Sequence, residues 1–198
     1  MLSGIAADAS FYILFYNDIA DVTSLHIISE KYDMYITNKL KLELINHIKH
    51  DLKFEQFVVD ISDDIDIVEM LENYCETIKL FYPNIGSWKN GGEFEVIGLA
   101  YILKQYGLLS YVIIDDSAPH NFVKNNLSNI NMHLIRSIGF LYTSFKRDKL
   151  LKGEHVIEIY NNILSSIKKG KRPLNITEKE WVKIVKPYII EIQCDLNG

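Results

Sequence analysis

Ser110-Tyr-Val-Ile-Ile114, followed at once by Asp115-Asp116, is the stretch that decides the fold. After Ser110 the run holds only aromatic and β-branched side chains, the types that fit a pleated strand. A strand with one wet face alternates polar and apolar residues. An unbroken apolar run instead suits a strand covered on both faces, as in a parallel sheet. The two carboxylates end the run. Ser117-Ala-Pro119 then opens a helix, where proline is tolerated in the first turn.

The same strand–helix alternation recurs upstream. Leu2-Ser-Gly-Ile-Ala-Ala7 is short and apolar and stops at Asp8, and Ser10 is expected to cap a helix over Phe11–Asn17. Val22–Ser29 reads as a second short helix. Asp33-Met-Tyr-Ile-Thr37 reads as a strand, and Thr37 or Asn38 caps a helix with the apolar stripe Leu40, Leu44, Ile45 and Ile48. Gln56–Ile61 reads as another strand. The acids Asp60, Asp63, Asp64 and Asp66 lack the glycine and distal glutamate of a calcium loop, and read as the charged entrance to a helix reaching about Leu80. Gly91-Gly92 precede a helix from about Glu93 to Tyr106, which Gly107 ends in a left-handed cap. Ile130–Leu134 reads as the last strand. Arg136–Lys146, Gly153–Lys169 and Thr177–Tyr188 read as helices. The expected architecture is therefore α/β, three layers around a central, mostly parallel sheet, with residues from about 136 forming a helical C-terminal extension.

At 198 residues the chain suits a single domain, 1–198. Hydrophobic residues make up 48% and charged residues 24%, which argues against disorder. The 26 acids outnumber the 21 bases, giving −5 at pH 7. Any nucleic acid must then be held by a local basic patch, and Lys168, Lys169, Lys171 and Arg172 form the densest one. Cys75 and Cys194 are too few and too far apart for a zinc site or a disulfide framework. An acid and no basic residue in the first ten, and no apolar run near the roughly 20 residues of a membrane helix, predict a cytoplasmic protein without membrane contact.

In a parallel sheet the carboxyl ends of all strands lie along one edge. Asp8, Asp115 and Asp116 follow strands, Glu93 opens a helix, and Glu43 lies on the helix after the second strand, so all are expected to converge there. Clustered carboxylates cannot stay ionised and unpaired in a partly buried site. An all-oxygen donor set favours Mg²⁺ or Mn²⁺, whose chemistry suits phosphodiester hydrolysis.

The opening strand with Asp8-Ala-Ser10 and the segment Ile36-Thr-Asn-Lys-Leu-Lys-Leu-Glu43-Leu resemble PIN-domain proteins, as do Gly92-Glu-Phe-Glu-Val-Ile-Gly-Leu-Ala100 and Tyr111-Val-Ile-Ile-Asp115-Asp116. Ser137-Ile-Gly-Phe-Leu141 is similar to the tail of one subgroup of that family. The resemblance implies a metal-dependent endoribonuclease of the kind found as the toxin of toxin–antitoxin pairs. It implies a catalytic set of Asp8, Glu43, Glu93, Asp115 and Asp116, with Mg²⁺ or Mn²⁺ held by Asp8, Glu93, Asp115 and Asp116. Glu95 competes with Glu93, and Asp116 with Asp115, as the ligand. Where the subgroup has Ala-Arg after its Asp pair this chain has Pro119-His120, which makes His120 a candidate phosphate contact beside the basic run. The implied partners are RNA, an antitoxin protein and a second copy of the chain, the last also suggested by the apolar surplus of Phe11, Leu14, Phe15, Ile27 and Ile28. The alternative is a catalytically weak or inactive PIN-like module that binds RNA or a protein partner.

Overall fold

A computed structural model describes residues 3–48, 54–83 and 92–197. Five strands form one sheet: β1 (Ser3–Ala7), β2 (Tyr32–Ile36), β3 (Val58–Asp60), β4 (Leu109–Ile113) and β5 (Leu134–Ile135). Their order is β3-β2-β1-β4-β5 and every neighbouring pair is parallel. Between β1 and β2 lie α1 (Ala9–Ile13), a π-helical turn (Leu14–Asp18) and α2 (Val22–Ser29). The helix α3 (Asn38–Ile48) precedes β3, and α4 (Ile65–Phe81) and α5 (Gly92–Gln105) lead to β4. Then come α6 (Ser117–Asn126) and α7 (Ser128–Asn131) before β5, followed by α8 (Ser137–Lys146), α9 (Gly153–Lys168) and α10 (Glu178–Asn197).

Strand alternation divides the interior into two cores. Ile5, Ala7, Met34, Tyr111 and Ile113 face one, with Phe11, Leu40, Phe140 and Tyr160. Ala6, Val112 and Ile114 face the other, with Leu71, Ile97, Leu103 and Phe122. The α/β, three-layer architecture with a parallel sheet is as the sequence predicts. The helices after residue 136 form the expected C-terminal part and pack into the same core. Val156, Ile159, Trp181, Val185 and Ile192 share the core of Ile5 and Phe11, and the Trp181 indole donates to the Tyr160 carbonyl at 3.1 Å. They cover the apolar surface that the sequence suggested was free for a second copy. Phe11, Leu14, Phe15 and Ile28 are all 0% exposed inside one chain.

Local departures have identifiable causes. Asp8, not Ser10, caps α1: its carboxylate accepts from the Phe11 amide at 3.3 Å, so the helix starts at Ala9, directly off the strand. Ile130 is helical in α7 and fully buried from there, while the last strand is only Leu134–Ile135. Thr37 caps α3 through the Leu40 amide, and Asp64 caps α4 through the Ile67 amide, the expected charged entrance. The helix α10 passes Pro187, because Ile192 beyond it continues the buried face of Trp181 and Val185. Leu2 and Gly91 lie outside the described residues.

One polar clip ties α8 to the sheet. Tyr111 donates to Asp148 at 2.6 Å, Arg147 pairs with the same carboxylate at 3.1 Å, and Lys31 donates to the Asp148 carbonyl at 2.8 Å. Burial would raise Asp148, but the bonds from Tyr111, Arg147 and Tyr32 outweigh it and hold the carboxyl below its usual range. A lowered folded-state pKa contributes stability at neutral pH that is lost as the pH falls through it. Asp148→Asn should therefore cost about 1–3 kcal/mol at pH 7. The gap to the wild-type midpoint should narrow in melts taken as the pH falls below the usual aspartate range.

Candidate active site

The chain runs from β1 outward to β2 and β3 in one direction, and to β4 and β5 in the other. The crevice between the carboxyl ends of β1 and β4 is thus the topological switch point, where α/β sheets bind ligands. Asp8 and Asp115 stand at those two ends. The Asp115 amide donates to Asp8 Oδ2 at 2.8 Å, while Asp8 Oδ1 takes the Phe11 amide. Asp115 Oδ1 accepts from the Ser137 amide at 3.0 Å, and its Oδ2 accepts from the Ser137 hydroxyl. Arg136 donates to the Asp115 carbonyl and, at 3.3 Å, to Ser117 Oγ.

Both carboxylates are buried, at 7% and 6% exposure. Burial, then the charge of Asp115, push Asp8 up to about 8. Burial also raises Asp115, while the Ser137 bonds and Arg136 oppose the rise. Each carboxylate oxygen keeps lone-pair capacity beyond the one bond it accepts here. Asp116 is exposed at the start of α6, and its side chain makes no capping bond.

A second acidic group forms where α3 meets the start of α5. Glu95 is buried, and its Oε1 pairs with Lys39 at 3.2 Å. Burial, Glu93 and Glu95 together raise Glu43. Glu93 Oε2 and Glu95 Oε2 are buried with no hydrogen-bond partner among the described residues. Orphaned buried carboxylate oxygens are costly, and a hard cation would satisfy them. The residues present therefore fit a divalent metal in donor type and charge.

Gly92 allows this approach. A Cβ there would come 2.7 Å from Glu43 Oε1. The obstacle is the end of a flexible side chain, so Gly92→Ala should leave the melting midpoint within a few degrees while displacing Glu43. A titration with Mn²⁺ should show weakened binding in that variant.

The structure brings Asp8 together with Asp115, and Glu43 together with Glu93 and Glu95. The two groups sit on elements in mutual contact, since α5 packs on β1, β4 and α3. Among the described residues, no three His, Cys, Asp or Glu side chains are gathered closely enough to hold a metal ion.

The basic run ends α9, with Lys168, Lys169, Lys171 and Arg172 exposed, and Lys171 donates to the Asn17 carbonyl at 2.6 Å. His120 is half-buried, with Nδ1 3.0 Å from the Ile114 carbonyl. That oxygen only accepts, so Nδ1 carries the proton and the neutral ring keeps a lone pair on Nε2. Burial, then Arg136 and Lys124, hold His120 below its usual pKa. A neutral His120 in this tautomer accepts at Nε2, and it would donate to a phosphate from there only when protonated.

No protein-family model matches the chain, and neither a curated protein nor a solved structure is significantly similar to it. Function must be read from the site itself. Sequence reasoning passed over three residues that arrange the acids: Lys39 on Glu95, and Arg136 and Ser137 on Asp115. Ser137 and Arg136 carried a usable signal, because they too follow a strand at the same edge.

No helix among the described residues is long and apolar enough to cross a membrane.

Proposed function

We propose that the chain is a metal-dependent endoribonuclease acting in the cytoplasm, of the kind that forms the toxin of a toxin–antitoxin pair. The observation that carries this reading is the acid excess at the carboxyl edge, where Glu93 Oε2 and Glu95 Oε2 are buried without partners beside Glu43. Asp8, Glu93, Asp115 and Asp116 would hold Mg²⁺ or Mn²⁺ by closing on one another, since no three of the described acids are gathered closely enough as they stand, with Glu43 and Glu95 beside them. When bound, such an ion polarises a phosphoryl oxygen and makes a hydroxide nucleophile available near neutral pH. Ser137 fixes both oxygens of Asp115, and Lys39 takes one oxygen of Glu95, so each acid presents a defined remaining face. Lys168, Lys169 and Arg172 offer phosphate contacts outside the edge, which the net charge of −5 makes necessary.

A second reading, a non-catalytic module that binds RNA or a protein such as an antitoxin, is favoured by one observation. Every oxygen of Asp8 and Asp115 already accepts a hydrogen bond from the protein. Incubating the purified chain with single-stranded RNA and Mn²⁺ separates the two. Turnover giving 5′-phosphate ends, abolished by a chelator, supports the nuclease. RNA that stays intact while the chain binds it supports the module.

A further inference from the structure

A groove of about 290 Å³ opens directly beside Asp115, between the start of α8 and α10. His120 and Arg136 line its polar end with Asp115, and Leu174, Ile184 and Tyr188 form apolar walls. Leu174 has left-handed backbone, φ 54, in the turn just after Arg172. That conformation is uncommon for a leucine, and such outliers gather at binding sites. The Tyr188 ring is already held in place by stacking on Tyr142, with centroids 4.6 Å apart. The volume lies just below the usual range for small-molecule sites, about 300–1,000 Å³.

Arg136 uses one N–H on the Asp115 carbonyl and one on Ser117, and its guanidinium has further donors for a phosphate. An anion held there would stand against the backbone of Asp115, next to the acidic pair. With Nδ1–H on the Ile114 carbonyl, a neutral His120 presents the opposite polarity at Nε2, an acceptor suited to a base N–H. A cation, an acceptor and apolar walls in one groove are the contacts that unstacked bases of single-stranded RNA call for.

We infer that this groove is the nucleotide subsite of the proposed nuclease: it takes one nucleotide of single-stranded RNA, its phosphate on Arg136, its base between the apolar walls and against His120. This rests on RNA being the substrate.

The test measures binding of a labelled single-stranded RNA decamer by fluorescence anisotropy, with EDTA present so that cleavage plays no part. Arg136→Ala should weaken binding about tenfold or more, and Arg136→Lys less. Ile184→Asp puts a charge on a wall that is 41% exposed and should also weaken binding while keeping the wild-type melt. It carries the test if Arg136→Ala fails to fold. A wild type that does not bind RNA overturns the inference. So does unchanged affinity in both variants, or displacement of the decamer by an equal concentration of free AMP. If the wild type cleaves RNA in Mn²⁺ while both variants bind normally, the groove is wrong and the nuclease stands. If both variants lose binding and no chain cleaves, the groove stands and hydrolysis fails.

Discussion

Asp8→Asn and Glu93→Gln are each expected to lower RNA cleavage in Mn²⁺ by about 100-fold or more. Loss of an outer partner of a metal ligand typically costs 10–100-fold, so removing the charge of a ligand should reach at least the top of that range. Both variants should remain folded. Asparagine keeps one acceptor oxygen for the Phe11 amide, so α1 keeps its start, while the bond from the Asp115 amide is lost at a cost of about 1–3 kcal/mol. Glutamine keeps the shape of Glu93 and brings donors to a place where its Oε2 has none. Arg172→Ala should behave differently: binding weakens for every RNA sequence and the salt dependence flattens by about one unit, as for a lost phosphate contact. Cleavage rates at saturating RNA, measured beside binding, separate the two kinds of variant. Wild-type cleavage by purified Asp8→Asn would place the activity elsewhere.

Without divalent metal, the chain should become less stable as the pH rises from about 5 to 8. Asp8 has a folded-state pKa near 8, against about 3.9 for an unfolded aspartate. The fold therefore holds this proton more tightly than the unfolded chain does. Its contribution is fully present below about pH 4 and is lost as the pH climbs through 8. The expected loss across that window is on the order of 2–4 kcal/mol, allowing for relaxation around a buried charge. Mn²⁺ binds the ionised acids, so it should restore the midpoint at pH 8 and do little at pH 5. At a hundred times its Kd it would add about 2.7 kcal/mol. Asp8→Asn should flatten the pH dependence and lose the Mn²⁺ effect. Thermal melts of both proteins at the two pH values, with and without Mn²⁺, check each part.

The parallel sheet was legible because its central strands are buried on both sides. Ser110–Ile114 reads as an unbroken apolar run since Tyr111 and Ile113 fill one core while Val112 and Ile114 fill the other. Asp8 and Asp115 were legible for the same reason, as the first charges after such runs. Ile130 was misread because a single buried turn of helix and a short strand look alike over four or five residues. The dimer surface was misread because the partners of Phe11 and Phe15 lie far along the chain: Phe140 stacks edge-on to Phe11 at 5.6 Å. The pairing of Lys39 with Glu95, and of Ser137 with Asp115, follows from which elements meet in space, and no local pattern encodes that. The hydrogen bond from His120 to the Ile114 carbonyl, which leaves Nε2 as its outward nitrogen, is likewise a product of the fold and not of local sequence.

Titration of the metal-free chain with Mn²⁺, followed by calorimetry or by the paramagnetic signal of the free ion, tests the cation site directly. The expected result is saturable binding at pH 8 that is lost in both Asp8→Asn and Glu93→Gln. No binding to the wild type at millimolar Mn²⁺, or equal binding to the wild type and both variants, would contradict a metal centre at the acidic edge.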